Sequence, residues 1–479
     1  MRLTKEQANI AKFKGSLLVV MAYAGSGKTA TLIEYAKANP NIRMLYVAYN
    51  RAISEEAQSK FPENVICRTS HQLAHARFRK KYQHKFRQNL SINMVLRELG
   101  DNNWKLAKDV IFTLEQYLCS ANKHVQVGHT PQADTPESMS VPERRYRGEL
   151  VAYATSLWEK MKDESNSFPI THDGLLKLYQ LSKPDLSIYF GAILFDEAQD
   201  ANPVTTDFIL RQNCKKLFVG DRHQQIYRYR GANNALDAPE MKSATRMYLS
   251  NCFRFGPEIA MVANSILHLK NEEVFAVGRG GKGELLSSLP QDQRHFALLG
   301  RTVHGVIQAA LSLANKDKKI FWVGGIRSYG IGMIADVLRL KEDKTSNIKN
   351  VLVQQFSSFH ELKRHAQSTE NFEVLRAIKL VELPHFAVML QKLAQQTVEH
   401  EYEADYTVST AHRSKGLEWE NVALLNDFPD VFALEGDEYE DELNLLYVAA
   451  TRAKKSLVIN HIVEACMRKL LYYRNKNNP

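Results

Sequence analysis

The sequence predicts an α/β protein with two lobes, each built on a parallel sheet flanked by helices. Two parts of the 479-residue chain alternate short apolar runs, bounded by Gly, Asp or Asn, with helical stretches, which is typical of such a sheet. That alternation stops twice, and helical periodicity takes over. We therefore expect a first lobe from 1–75 and 181–252 with a helical insertion at 76–180, and a second lobe from 253–340 and 405–479 with a reduced helical insertion at 341–404.

The apolar runs are the predicted strands. In the first lobe they cover residues 17–22, 44–49, 65–68, 192–195, 217–219 and 247–250. In the second lobe they cover residues 296–299, 320–323, 407–410, 422–426 and 457–460. The acidic stretch 435–442 is predicted to be a solvated loop running into a helix N-terminus, where acidic side chains suit the helix dipole.

Composition excludes some classes of protein and favours others. Hydrophobic residues make up 44% and charged residues 24% of the chain, so it can form more than one core and is not globally disordered. Its 63 Lys and Arg exceed its 53 Asp and Glu, giving a net charge of +10. That excess favours a polyanionic partner such as nucleic acid, but it also fits an ordinary basic enzyme.

Neither a leader nor a membrane segment is predicted. The chain starts MRLTKEQANIAKFKG, with charges where a signal peptide would need an apolar core, and no run of about eighteen apolar residues occurs. The five cysteines stand far apart, so we expect them to be reduced and mostly structural. A soluble intracellular protein is the expectation.

One basic stretch of the first insertion leaves two interpretations open. The segment RFRKKYQHKFRQN, residues 77–89, alternates basic with aromatic side chains. This texture suits contact with phosphates, and it equally suits the solvated face of an amphipathic helix.

The segment MAYAGSGKTATL predicts a phosphate-binding loop. It follows an apolar strand and opens a helix, which is the structural setting that this pattern requires. Gly25 and Gly27 allow backbone N–H groups to point at phosphate oxygens at the helix N-terminus. Lys28 would reach the β- and γ-phosphates, and Thr29 would hold Mg²⁺ through its hydroxyl. The sequence therefore predicts a site for a nucleoside triphosphate.

The segment AILFDEAQD supplies the acidic half of such a site. Its apolar strand delivers Asp196 and Glu197 to the carboxyl edge of the sheet. One carboxylate can bind Mg²⁺, and its neighbour can act as the base that orients the attacking water.

In this order, the motifs resemble those of the UvrD/Rep family of superfamily one helicases, most of all its F-box DNA helicase branch. The likeness covers nearly the whole chain and includes LTKEQ, GDRHQQIYRYRGA, NCFRF, STAHRSKGLEWENV and LLYVAATRAKK. It implies two RecA-like P-loop lobes, each with a helical insertion, and an ATP-dependent helicase. The implied cofactors are ATP and Mg²⁺.

The resemblance assigns nucleotide-site roles to residues of both lobes. Gln7 would read adenine, Phe253 would stack on it and Glu418 would lie near the ribose. Gln224 would sense the γ-phosphate, and Arg254 and Arg452 would reach toward it as positive fingers. The remaining cradle residues are Ala24, Gly25, Ser26, Gly27, Lys28, Thr29 and Ala30.

Other matched motifs imply contacts with single-stranded DNA. The segments LYVAYNRAISEEA and RTSHQLAHARF place Tyr49, Thr69 and His71 along the strand. Tyr227 and Tyr229, which follow the sensor Gln224 closely, would stack on bases. The fifth motif adds His412 and Lys415.

Three departures from the family pattern stand out. Ala30 occupies a position where bacterial members often have Arg, so adenine would depend chiefly on Gln7 and Phe253. Tyr229 replaces the more usual Trp and offers a smaller stacking surface. Arg222 and His223 replace two family acids, and the sequence assigns them no purpose.

The sequence therefore predicts an ATP-driven translocase and helicase that moves 3′ to 5′ on single-stranded DNA. Expected substrates are single strands and single-strand/duplex junctions. A protein partner such as a nuclease or repair factor is left open, a membrane is not expected, and the implied location is cytoplasmic (nucleoid-associated) or nuclear. Two alternatives remain: the motor subunit of a larger repair, recombination-control or anti-foreign-DNA complex, and a P-loop kinase or small-molecule ATPase.

Overall fold

The computed structural model describes residues 3–131, 139–228, 234–291, 294–369 and 371–477, with only the backbone described for 474–477. The chain divides into two compact units, Met1–Ser250 and Asn251–Pro479. Each unit has its own parallel sheet and its own apolar cores.

The first unit is built on six parallel strands in the order β3-β2-β4-β5-β1-β6. The strands are β1 (Leu17–Ala22), β2 (Met44–Ala48), β3 (Val65–Thr69), β4 (Ala192–Phe195), β5 (Lys215–Gly220) and β6 (Thr245–Leu249). The helices are α1 (Lys5–Ala11), α2 (Lys28–Ala38), α3 (Arg51–Lys60), α4 (Ser70–Tyr82), α5 (Ile92–Leu99), α6 (Trp104–Cys119), α7 (Val141–Lys162), α8 (His172–Leu181) and α9 (Pro203–Leu210).

Helices cover both faces of this sheet because its strands are apolar on both sides. In β2, Leu45 and Val47 join one core, whereas Met44, Tyr46 and Ala48 join the other, as the alternation of side chains along a strand requires. The first core continues into the helices between β3 and β4. The helical character predicted for this part of the chain is confirmed.

The second unit also contains a six-stranded parallel sheet, in the order β11-β12-β10-β13-β14-β9, and a short β7-β8 ladder. The strands are β7 (Asn251–Cys252), β8 (Val277–Gly278), β9 (Glu284–Leu286), β10 (Phe296–Gly300), β11 (Ile320–Trp322), β12 (Tyr406–Thr410), β13 (Trp419–Leu424) and β14 (Ala453–Val458). The helices are α10 (Pro257–Leu269), α11 (Val303–Asn315), α12 (Ile331–Lys341), α13 (Phe359–Ser368), α14 (Phe372–Val381), α15 (Phe386–Gln396), α16 (Gly436–Ala450) and α17 (His461–Asn477).

Helices α13 to α15 account for the helical stretch predicted between α12 and β12. Their apolar side chains, including Leu362, Ile378 and Leu393, belong to the same core as Phe296 and Leu298 of β10. This part of the second unit therefore packs onto the sheet through one continuous core.

All eleven predicted strands form, and most bounds shift by one to three residues. The prediction missed β7, β8 and β9, which are two or three residues long and carry no apolar run. The solvated loop predicted at 435–442 is wrong, because α16 begins at Gly436. Asp437 and Glu438 do occupy its first turn, as the dipole argument requires, but Glu442 is buried and pairs with Arg301.

The basic stretch 77–89, which begins on α4 and continues beyond it, also separates into two parts. Lys85 is buried, and its ammonium donates to the backbone carbonyls of Lys160 and Asp163 at 2.8 and 2.7 Å. A phosphate contact by Lys85 is therefore excluded, because the charge is already used within the fold. Arg77 and Lys80 are exposed on α4.

Two general features complete the description. All five cysteines are free thiols, and three of them are buried. Among the helices of the described ranges, none is both long enough and apolar enough to cross a membrane.

Candidate nucleotide site and strand-contacting residues

Three adjacent strands of the first unit bring its predicted nucleotide residues together. Strands β4, β5 and β1 are neighbours and run parallel, so their carboxyl ends meet at one edge of the sheet. The phosphate-binding loop follows β1, the DEAQD segment follows β4 and the GDRHQQ segment follows β5. Ligands bind at this edge in open parallel sheets.

The loop after β1 has the backbone that a phosphate cradle needs. Gly25 and Gly27 have φ values of 69° and 81°, a region that L side chains rarely adopt. Gly27 is also the N-cap of α2, and no side chain caps that helix. The first N–H groups of α2 are therefore available to an anion.

Gln7 lies directly beside this cradle. A Cβ atom placed on Gly27 would lie 3.1 Å from Nε2 of Gln7. Helix α1 is fixed by a capping box, in which the Thr4 hydroxyl accepts from the Gln7 N–H and the Gln7 side chain accepts from the Thr4 N–H. Glu6 accepts hydrogen bonds from the N–H and hydroxyl of Ser250. These bonds place the Gln7 amide at the loop; its adenine role stays a prediction.

Asp196 and Thr29 form the candidate magnesium ligands. The Thr29 hydroxyl donates to Oδ2 of Asp196 at 2.8 Å, and the Tyr46 hydroxyl donates to the same oxygen at 2.8 Å. Burial and the neighbouring Glu197 carboxylate raise the pKa of Asp196, against the lowering effect of Lys28 and the two hydroxyl donors. Tyr46 was not predicted, because its position in an apolar strand marks it only as core.

Glu197 faces Lys28 across the cradle. Oε1 of Glu197 lies 3.3 Å from Nζ of Lys28. Glu197 has a φ of 51°, which turns the chain sharply after β4. Burial alone would lower the pKa of Lys28, but the carboxylates of Glu197, Asp221 and Asp196 outweigh it and hold that pKa above its ordinary value. Lys28 is therefore a firmly charged ammonium at this edge.

A hydrogen-bond chain connects Glu197 with the predicted sensor Gln224. Gln199 donates to Oε2 of Glu197 at 2.6 Å and accepts from the N–H of Asp221 at 3.0 Å. Gln224 then donates to Oδ2 of Asp221 at 2.6 Å. Sequence reasoning quoted the segments of Gln199 and Asp221 but gave these two residues no role, because their effect depends on distances that a pattern does not contain.

The residues present fit a nucleoside triphosphate with Mg²⁺. The Thr29 hydroxyl and the Asp196 carboxylate supply oxygen ligands at one point, and Mg²⁺ commonly binds one or two carboxylates plus phosphates. Ser26 Oγ is buried within the loop without a partner among the described residues. Ala24 is buried and Ala30 is exposed on α2.

Arg222 and His223, which replace two acids of the family pattern, both have partners within the first unit. Arg222 pairs with Asp237, with 3.2 Å between Nη2 and Oδ2. The His223 ring is buried and stacks on Tyr23, with ring centroids 6.0 Å apart. Both replacements therefore contact neighbouring side chains of the first unit.

In the second unit, the residues predicted as fingers are held by their own unit. Arg254 Nε donates to Oε2 of Glu418 at 2.7 Å, and Nη1 donates to the carbonyl of Thr451 at 3.0 Å. Arg452 is only 1% exposed, and its guanidinium donates to the carbonyls of Val448 and Leu417. The structure thus brings the predicted Arg254, Glu418 and Arg452 together.

Two further residues of this unit lie near Arg254 and Glu418, the predicted Phe253 and the unpredicted Lys454. Phe253 is exposed beside Arg254. Lys454 shares the Glu418 carboxylate with Arg254. Burial raises the pKa of Glu418, but these two cations outweigh burial and hold it below its ordinary value.

Two of the predicted strand-contacting tyrosines are neighbours. The rings of Tyr49 and Tyr227 are nearly parallel, with centroids 6.2 Å apart, and Tyr49 is 44% exposed. Tyr229 lies outside the described residues. The pair offers an accessible aromatic surface of the kind on which bases stack.

Thr69 and His71 lie at the start of α4. The Thr69 hydroxyl caps the helix by accepting from the Gln72 N–H at 3.1 Å, and Thr69 is buried. His71 Nε2 lies 2.9 Å from Oδ1 of Asp173. Of the two, His71 is the more accessible to a strand.

His412 follows β12 and lines a basic pocket that sequence reasoning missed. The other basic residues of its wall are Arg301, His304, Arg376 and Lys379, and the pocket has a volume of about 530 Å³. Lys415 lies three residues further along and is half-buried. The pocket went unpredicted because its residues come from three separate elements.

Comparison with known proteins agrees with this geometry. The family model described as the UvrD/REP helicase N-terminal domain matches residues 3–238, and the model described as the UvrD-like helicase C-terminal domain matches residues 249–464. Together they span nearly the whole chain.

Curated relatives give the same result. An F-box DNA helicase 1 of Gallus gallus is 34% identical over 97% of this chain and 49% of its own length. An F-box DNA helicase protein 1 of Schizosaccharomyces pombe is 30% identical over 96% of this chain and 58% of its own length. A probable DNA helicase II homolog of Mycoplasma genitalium is 22% identical over 93% of this chain and 83% of its own length.

The chain therefore spans about half the length of the first two relatives. Both family models match in the expected order, and each coincides with one unit that carries a parallel sheet and the predicted motifs. The chain belongs to the UvrD/REP-like helicases, with two RecA-like lobes.

Proposed function

We propose that this protein is an ATP-dependent translocase and helicase that moves 3′ to 5′ on single-stranded DNA. The observation that carries the proposal is the cluster at the edge of the first sheet, where Lys28 meets Glu197 at 3.3 Å and Thr29 meets Asp196 at 2.8 Å. Such an arrangement of cation, hydroxyl and two carboxylates serves phosphoryl transfer.

Each residue of the cluster has one task. Lys28 and the N–H groups at the start of α2 bind the phosphates and neutralise their charge. Thr29 and Asp196 would hold Mg²⁺, which would supply charge neutralisation at the phosphates. Glu197 orients the attacking water and accepts its proton. Tyr46 holds Asp196 in the orientation that its ligand role needs.

Coupling to DNA runs from Glu197 through Gln199 and Asp221 to Gln224. Gln224 is three residues before Tyr227, whose ring lies parallel to that of Tyr49. A change at the phosphates can therefore shift the aromatic pair on which a base stacks. Stacking of about 1–3 kcal/mol per base is strong enough to hold a strand and weak enough to release it in each cycle.

In the same proposal, Arg254 and Arg452 serve as positive fingers for a γ-phosphate. Arg254 would exchange its bond to Glu418 for a phosphate oxygen. Its half-buried position and the rigid carbonyl contact with Thr451 keep the guanidinium oriented for such an exchange. A nucleoid or nuclear location follows from a DNA substrate.

The decisive experiment compares ATP hydrolysis with single-stranded DNA, duplex DNA and RNA at several fixed salt concentrations. We expect single-stranded DNA to stimulate hydrolysis most, with an effect that weakens as salt rises because phosphate contacts release counterions. A small-molecule kinase or ATPase would show equal rates with and without DNA, and that result would refute the proposal.

Direction is measured separately by displacement of streptavidin from either end of a biotinylated single strand. A 3′ to 5′ motor removes streptavidin from the 5′ end only.

The stretch of residues 341–404 is small, so it offers few duplex contacts to help with base-pair opening, which costs roughly 1.4 kcal/mol per step. We therefore expect the monomer to move along single strands well and to unwind a tailed duplex poorly.

A further inference from the structure

The second unit contains another pocket next to the basic pocket of His412. It has a volume of about 280 Å³ and lies among α11, α12, α14 and the turn before α12. Its apolar wall includes Ile307, Met333 and Leu380. Its polar groups are Ser328, Glu373, Arg376 and His304.

This pocket, called the inner pocket below, combines apolar walls with a few polar groups, which is the combination that binds a planar heterocycle. Apolar side chains line its faces, whereas Glu373 can accept and Arg376 can donate hydrogen bonds at its edge. His304 Nδ1 is buried without a partner among the described residues. Buried polar atoms are normally paired, so this nitrogen is a candidate partner for a bound group.

The basic pocket, called the outer pocket below, opens beside it. Val303, His304 and Arg376 line both pockets. Strands β10 and β12 are parallel neighbours that end at Gly300 and Thr410, so the outer pocket lies at the carboxyl edge of this sheet, where ligands of such sheets bind.

The charge of the outer pocket suits phosphate. Lys379 makes no ion pair or hydrogen bond with any residue that the structure describes, and Arg376 donates only to the Phe372 carbonyl, at 3.1 Å. Arg301 is already neutralised by Glu442. The Thr302 hydroxyl caps α11 by accepting from the Gly305 N–H, and Asp427 accepts from the N–H groups of Arg301 and Thr302 just before the helix. The anion-binding capacity therefore rests on the side chains of α14.

The segment after β12 contacts both pockets. His412 lines the outer pocket, and the next residue, Arg413, lies over the Tyr329 ring of the inner pocket at 4.1 Å. Arg413 also donates to the carbonyl and the hydroxyl of Ser328. The loop after β12 thus fixes a wall of each pocket.

We propose that the two pockets together bind one nucleotide of a single DNA strand, with the base in the inner pocket and its phosphate on Arg376 and Lys379 in the outer pocket. This inference rests on the proposed function, since it names a site for the same strand. Burial and the neighbouring Lys379 and Arg376 cations lower the pKa of His304, so its ring is neutral at pH 7 and can accept or donate at the base edge.

The experiment measures the affinity of the full chain for two single strands of equal length, one of deoxycytidines and one with abasic sites. Met333→Trp, in half-buried surroundings on α12, fills the inner pocket. We expect it to lower affinity for the deoxycytidine strand by at least about fivefold, part of the way to that of the abasic strand, and to leave abasic binding unchanged. Lys379→Ala should weaken both strands and reduce the salt slope by about 0.7.

Matched controls come from the same unit. Met389→Trp changes a half-buried methionine of the same core on α15, away from both pockets. Lys316→Ala removes an exposed lysine at the opposite end of α11. Both should bind like the wild type. Val303→Phe fills the inner pocket from another helix, so the test does not depend on the folding of one variant.

The outcomes are distinguishable. If the wild type binds neither strand, both the proposed function and this inference are wrong. If it binds both and the two filling variants bind exactly as it does, the inference is wrong and the proposed function stands. If the filling variants abolish only the binding of a free deoxynucleotide monophosphate, the pocket takes a nucleotide but not one in a strand, which also overturns the inference.

Discussion

The two units hold the cations that are predicted to reach phosphate in different ways. In the first unit, Lys28 faces a carboxylate of the candidate nucleotide site itself, at 3.3 Å from Glu197. In the second unit, Arg254 and Arg452 are held by groups of their own unit, a carboxylate and backbone carbonyls. The comparison teaches that a cation in a motif can have a structural task besides its chemical one. The two tasks fail differently when the side chain is removed.

The largest effect is expected for Lys28→Ala. Because the phosphates lose their principal cation, ATP hydrolysis should fall by roughly 100-fold or more. Single-strand binding should change less than about threefold, since the strand-contacting residues lie elsewhere. The measurement is steady-state hydrolysis with a parallel affinity titration.

Lys37→Ala is the matched control, because Lys37 lies on the same helix and pairs only with the exposed Glu34. It should hydrolyse ATP like the wild type. Near-normal hydrolysis by Lys28→Ala would show that Lys28 has no chemical task, and the contrast with the arginines of the second unit would then be wrong.

The second prediction separates Arg254 from Arg452. Arg452→Ala leaves the carbonyls of Val448 and Leu417 without their donor and opens a cavity, so we expect a loss of about 2–4 kcal/mol in the free energy of unfolding. Arg254→Ala removes a partly exposed ion pair with Glu418 and one hydrogen bond to the Thr451 carbonyl, so it should cost only about 1 kcal/mol, while ATP hydrolysis falls strongly. Thermal unfolding and hydrolysis are measured on both.

Lys455→Ala is the control for the second prediction, because it breaks an exposed ion pair with Glu420 in the same unit. It should leave both readouts unchanged. If Arg452→Ala unfolds at the wild-type temperature, its burial is not structural, and the contrast between the two units disappears.

Sequence patterns predicted the strands well because a short apolar run bounded by polar residues is typical of a strand buried on both faces of a parallel sheet. They also delivered Lys28, Thr29, Asp196 and Glu197 to one edge, since motif order fixes which strand ends carry them. They could not find Tyr46, because it stands in the apolar strand β2 and only its hydroxyl oxygen distinguishes it from a core phenylalanine.

Patterns failed equally at sites assembled from distant segments. The outer pocket is lined by residues after β10, on α14 and after β12. Because these segments are far apart in the sequence, no local spacing pattern predicts that they lie together. The stretch 435–442 failed for the opposite reason: its acids suited both a loop and a first helical turn, and the buried pairing of Glu442 with Arg301 decides in favour of helix.

The third prediction sharpens the description of the first unit. Tyr46→Phe removes one donor to Asp196 and leaves the Thr29 donor in place. We expect a loss of about 1 kcal/mol in stability and hydrolysis reduced about threefold, because Asp196 becomes less firmly oriented.

Tyr35→Phe is its matched control. Tyr35 is equally buried in the same core, and its hydroxyl has no partner in the described part of the chain. Its removal should be neutral or slightly stabilising. Equal losses in both variants would show that Tyr46 acts only as packing.

The smallest effect concerns acid stability and sets His172 of the first unit beside His304 of the second. Burial lowers the pKa of both, aided by His71 and His75 for His172 and by Lys379 and Arg376 for His304, with Asp173 and Asp427 opposing. Because each folded-state pKa lies below the unfolded value of about 6.5, the unfolded state binds more protons, and stability falls as pH drops below about 6.5.

We therefore expect the apparent melting temperature to fall between pH 7.5 and pH 5.5, and His304→Gln to reduce that fall by on the order of 1 °C. Lys379→Ala should act in the same direction, because it removes a cation that opposes protonation of His304. His360→Gln, at an exposed position on α13, is the control and should titrate like the wild type. A larger acid-induced fall in His304→Gln than in the wild type would reverse the sign and refute the assignment of a neutral ring.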